Sequence, residues 1–141
     1  MTQRRFPLAG LLRVRELRES GAAGALSSAN SELARGNRRL ESLMRRAAEA
    51  DEPIYDAASL LAVAAGRSAS RSMLTEHLAH MEQLEQAAEV AGAAHAEAKR
   101  DVKVVQKLRE RHQMAADAAE LSAEQRVIDE AASRLNRGDH Q

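Results

Sequence analysis

The side chains best equipped for chemistry are five histidines, scattered serines and two arginine pairs. His77 and His80 lie three residues apart, with Glu76 and Glu82 nearby. On a helix that spacing puts two imidazoles on one face, where they can share a metal ion. The order Glu76-His77-Leu78-Ala79-His80 lacks the His-Glu-x-x-His arrangement of metalloproteases, and no third ligand is recognisable. The pair therefore reads as solvated or seam-edge histidines, and His95 and His112 as packing or edge residues. Ser27-Ser28 and the run Ser68-Ala69-Ser70-Arg71-Ser72 have no accompanying His and Asp in a shaped pocket, and no glycine-rich phosphate loop exists. Cysteine is absent, which excludes a disulfide framework, a thiol nucleophile and thiolate metal sites, and fits a reducing compartment. Arg38-Arg39 and Arg45-Arg46 are suited to phosphates, but nucleic-acid binders usually combine a net basic charge with stacking aromatics. Here the net charge is zero and the only aromatics are Phe6 and Tyr55. These residues predict no catalysis, cofactor, metal, small-molecule substrate or nucleic acid. The arginines are expected to be solvated flanks.

The elements that must carry these side chains are helices. Of 141 residues, 44% are hydrophobic and 30% charged, with two Pro and seven Gly. A chain rich in Ala, Glu, Leu and Arg and nearly devoid of aromatics has the composition of long helices and coiled coils. It is too hydrophobic for disorder on charge and hydropathy grounds. No apolar run approaches the ~20 residues that span a bilayer. Arg4, Arg5, Arg13 and Arg15 precede the first acid, Glu16, as in a mitochondrial presequence or a membrane-surface helix over Arg4–Arg18. The periodic pattern runs on without a cleavage-like break, so neither is preferred. Residues 1–48 hold ten Arg against four Glu, residues 49–98 two Arg against nine acids, and residues 99–141 nine basic against eight acidic groups. A hairpin would then have two electrically different ends.

Leu26, Ala29, Leu33, Gly36, Leu40, Leu43, Ala47 and Ala50 alternate steps of three and four, an a/d seam. Leu8, Leu11, Leu12, Val14 and Leu17 form a wider stripe, which predicts a stutter around Gly21 and Gly24. Asp51-Glu52-Pro53 ends this first arm, about 7–50. Asp56 is the expected N-cap of a short helix through about Ala65, with Ala57, Leu60, Leu61 and Ala64 on one stripe. Gly66 to Ser70 predict a break, so that bend and short helix occupy about 51–71. The second arm, about 72–136, opens on Leu74, Leu78, Met81 and Leu84. It continues through Ala88, Ala91, His95, Ala98, Val102 and Val105, recovers as Leu121, Ile128, Ala131 and Leu135, and stops at Gly138. At 1.5 Å per residue the arms span roughly 65 and 95 Å. The expected fold is all-α, a single long two-stranded antiparallel coiled-coil hairpin with a short helix near the bend.

Three stretches in this order resemble the FliJ family of the bacterial flagellar type III export apparatus. They are Arg5-Phe6-Pro7-Leu8-Ala9-Gly10-Leu11-Leu12-Arg13-Val14-Arg15-Glu16, then Lys107-Leu108-Arg109-Glu110-Arg111-His112, and finally Glu124-Gln125-Arg126-Val127-Ile128-Asp129-Glu130-Ala131-Ala132. The resemblance implies a hairpin like the central stalk of rotary ATPases, docking on the export ATPase hexamer and contacting the export gate protein and export chaperones. It implies a cytoplasmic protein, peripheral at the inner face of the cell membrane and monomeric in isolation. Carried over by position, the ATPase-engaging tip falls on Phe6, Leu8, Leu12 and Arg15, with Asp129, Glu130 and Arg134 opposite. The family exposes aromatics in its middle region. Here Tyr55 is the one available, with Leu78 and Met81 as further partner-binding candidates. Two other readings of the helical pattern are a chaperone-like hairpin that sequesters an amphipathic segment and an intermolecular dimer.

Overall fold

The computed structural model describes residues 5–138, so Arg4 of the basic start lies outside the described residues. Two helices account for nearly all of that stretch: α1, Ala9–Glu49, and α2, Ala57–Gly138. There is no strand among the described residues, and the fold is all-α with long helices packed against each other. The chain divides into two compact units, one of Met1–Arg18 with Ala98–Gln141 and one of Glu19–Glu97.

The unit Glu19–Glu97 is an antiparallel hairpin. Leu26 lies against Gly92, while Gly36 lies against Met81 and Leu84, so numbers rising on α1 meet numbers falling on α2. The partly or fully buried positions of α1 here include Glu19, Ala22, Leu26, Ala29, Leu33, Gly36, Leu40 and Leu43. On α2 they include Leu74, His77, Met81, Leu84, Ala88, Ala91 and His95. Both series alternate three and four, the spacing that keeps one face toward a partner helix. Ala47 and Ala50 of the expected seam are exposed.

The turn between the helices is set by Pro53 and Asp56. Ser59 N donates to Asp56 Oδ1 at 2.7 Å and Asp56 N donates to Ser59 Oγ at 2.9 Å, a reciprocal cap that satisfies first-turn amides. These bonds favour the carboxylate. The Ser59 backbone N–H first, and the Ser59 side chain second, hold the Asp56 carboxyl below its ordinary 3.8. A depressed folded value makes the cap's contribution complete above the unfolded value and lost as pH falls through the folded one. The unfolding midpoints of the parent and of Asp56→Ala should therefore differ at neutral pH and converge as pH drops below 3.8.

The expected break after Ala65 does not occur. α2 passes through Gly66, Ser68, Ser70 and Ser72 without interruption, and Leu60 and Leu61 stay exposed. Glycine and serine each weaken a helix by at most about 1 kcal/mol, and propagation from helix on both sides outweighs that. Only proline would have stopped it, and none follows Pro53.

The stutter near Gly21 and Gly24 is also absent. Stepping back from Leu26 by four and three gives Ala22, Glu19, Arg15 and Leu12, and all four are at least partly buried. Gly24 has nothing within 4 Å of an added Cβ. Gly24→Ala should therefore raise the midpoint of urea unfolding by the helix-propensity difference of about 1 kcal/mol.

Candidate partner-binding site

The unit holding the start of α1 and the end of α2 contains most of the residues that the resemblance singles out. Pro7 and Leu8 form the turn that enters α1, and Ala9 N donates to Phe6 O at 3.2 Å. That turn lays the Phe6 ring edge-on to His112, with centroids 5.6 Å apart at 61°. Leu12, Val102 and Val105 make the small core beside it, with Phe6 packed on top. Arg15 Nη1 donates to Asp101 Oδ2 at 2.5 Å, an ion pair at the half-buried edge of this core. An open groove of about 380 Å³ runs past Phe6 and Leu12, rimmed by Arg5, Arg13 and Arg109 with Glu16.

The two halves of the expected tip do not come together. Phe6 faces His112 and Arg15 faces Asp101, while Asp129, Glu130 and Arg134 lie farther along α2. The seventeen residues from His112 to Asp129 correspond to about 25 Å of helix. The reason is the length mismatch: α2 has 82 residues against 41 in α1, and most of the excess falls at its C-terminal end. There Gln125 Nε2 donates to Asp129 Oδ1 at 3.0 Å, and Arg134 Nη2 donates to Glu130 Oε1 at 2.6 Å, both within α2. All three residues are exposed. Leu8 is partly exposed, but Leu12 is 6% exposed and belongs to the core, so it offers little surface to a partner.

In the unit Glu19–Glu97, Tyr55 is 83% exposed and Leu78 half-exposed. Met81 is 4% exposed and packs under Gly36, within the seam of the hairpin. His77 takes the seam position that the alternation had given to Leu78. Its Nε2 lies 2.9 Å from Gly36 O. A carbonyl only accepts, so that nitrogen carries the proton and is turned away from any ligand. The His80 and His77 ring centroids are 6.2 Å apart. His95 Nε2 meets Glu19 Oε1 at 3.1 Å across the same seam. Among the described residues no three His, Asp or Glu gather closely enough to hold a metal ion.

Sequence reasoning missed Asp101 as the partner of Arg15 and His112 as the partner of Phe6. Extending the steps of three and four backward from Leu26 carries the seam through Arg15 and not through Val14, and forward from Val105 they reach His112, whereas Asp101 and Phe6 lie off these steps.

A family model described as flagellar FliJ protein matches residues 3–139 of the chain. The chain belongs to the FliJ family. No curated protein and no solved structure matches it. FliJ proteins are non-enzymatic components of flagellar protein export, so this chain is an export-related flagellar protein. Among its described residues no helix is long and apolar enough to cross a membrane. Its FliJ-like opening holds the antiparallel core around Leu12, and its FliJ-like ending sits on the part of α2 past His112.

Proposed function

We propose that this FliJ-family chain works without catalysis as a stalk-like coiled coil of the export apparatus. It docks on the export ATPase hexamer and contacts the export gate protein and export chaperones, at the cytoplasmic face of the cell membrane. The observation that carries the reading is the family match over nearly the whole chain. The structure supports it with a stretch of α2 that continues past the paired core and exposes Asp129, Glu130 and Arg134. An exposed helix that turns an apolar stripe and a polar row to different sides suits a ring whose subunits present several different surfaces to it. Phe6, Leu12 and Arg15 act in this reading by fixing the base of that stretch, through His112, Val105 and Asp101. Leu8 sits beside them at the surface. Exposed Tyr55, with Leu78, is assigned to the gate or chaperone contact.

Mixing the chain with its cognate export ATPase should promote hexamer formation and raise ATP turnover. Replacing Asp129, Glu130 and Arg134 together by alanine should abolish most of that gain, while Tyr55→Ala should leave it in place. A parent chain that changes neither hexamer formation nor turnover would count decisively against the proposal.

A further inference from the structure

We infer that the start of α1 in one copy docks on the end of α2 in a second copy of this chain, forming a head-to-tail contact. Two outward faces of the unit Met1–Arg18 with Ala98–Gln141 carry this inference. On α1, Leu12 and Arg15 turn toward α2. That leaves Leu11, Val14 and Leu17 on the outside, 40%, 45% and 67% exposed. Arg13 and Arg18 flank them in sequence and are exposed. Gly10, at the edge of this face, has nothing within 4 Å of an added Cβ, so a second helix can approach the backbone there. The face is apolar with a basic border.

The opposite character appears on α2. Met114, Leu121, Ile128 and Leu135 recur every seven residues and are all exposed. Ala118, Gln125 and Ala132 fall between them at alternating steps of four and three, which makes a second seam. It is not a continuation of the first. Carrying the internal seam onward from Val105 and His112 leads through Ala116, Ala119, Ala123, Arg126 and Glu130, a small and polar row. The leucine-isoleucine stripe therefore points away from the side that α1 occupies, and no described residue of its own chain covers it. The borders of this stripe are Asp117 and Glu124 on one side and Asp129 on the other.

Charge selects the occupant. Two such tails laid in parallel would bring carboxylates against carboxylates along their borders, which is unfavourable. The arginine-bordered face of α1 brings opposite charges to the same positions. Each copy carries one head and one tail, so the contact is heterologous and need not close at two chains.

Sedimentation equilibrium of the full chain tests this. The average mass should rise with concentration beyond that of two chains. It should fall back toward the 15.3 kDa monomer in about 1 M salt, where screening acts over ~3 Å. Leu17→Asp and Ile128→Asp should each restore the monomer, since both sites are exposed and neither lies in the internal core. An equimolar mixture of the two variants should recover dimers and nothing larger, because only one intact head and one intact tail remain to pair. A parent that stays monomeric at every concentration overturns the inference. So does a mixture that recovers no dimer, or a Leu17→Asp variant that still dimerises through its tail.

Discussion

Gly36→Val should destabilise the unit Glu19–Glu97 by about 2 kcal/mol, the cost of forcing extra methyl groups into a filled contact. A Cβ at Gly36 would lie 2.5 Å from Met81 Sδ and 2.9 Å from Leu84 Cδ1. The Met81 side chain is buried, so its sulfur has little room to retreat. Valine is stiff at χ1 and cannot fold its methyls away from the contact. Helix propensity works in the other direction, since valine improves on glycine by about a few tenths of a kcal/mol. Urea unfolding followed by helical ellipticity should thus separate two glycines of the same helix by sign, with Gly24→Ala up and Gly36→Val down. If both variants gain stability, α1 and α2 do not approach closely at Gly36. The His77 bond to Gly36 O depends on that same approach, and its imidazole resonances should shift in the valine variant.

Val105→Asp should cost the other unit about 3 kcal/mol, in the range for an unpaired polar group placed in a core. Val105 is 4% exposed and shares its contact with Leu12 and Val102. A carboxylate there has no cation in the core to meet it, and Arg15 is already engaged by Asp101. The first turns of α1 are held through this small cluster, so their amides should lose hydrogen-exchange protection. Val104→Asp, one residue away and 59% exposed, should change little. Equal effects at the two positions would mean that Val105 does not face α1.

Much of the pairing was legible because leucine and valine at steps of three and four state a direction. Leu26, Leu33, Leu40 and Leu43 on α1, with Leu84, Val102 and Val105 on α2, face inward as their spacing demands. The cap at Asp56 was legible for a local reason, since a carboxylate before a helical run accepts the first free amides. Where the seam of α1 carries charged residues, the pattern misled. Arg15 and Glu19 occupy seam positions and find partners across it, so the apolar residues near Arg15 suggested a slip that is not there. His77 took the place given to Leu78 because an imidazole can reach a carbonyl left bare by glycine. The candidate site was less legible than the fold. Family position placed both chain ends at one tip, but only helix length decides which residues meet, and α2 is twice as long as α1.

Among the described residues, the stretch of α2 beyond His112 has no neighbouring helix to lean on. Its helicity rests on pairs such as Gln113 with Asp117, Gln125 with Asp129 and Arg134 with Glu130. Each is worth about 0.2–0.5 kcal/mol, so this end melts as a helix–coil system, gradually and well below the cooperative transition of the paired portion. Whatever grips it must supply the ordering entropy. Its grip is therefore weakened by warming more steeply than contact area alone would dictate, and a substitution that only raises helicity there tightens it.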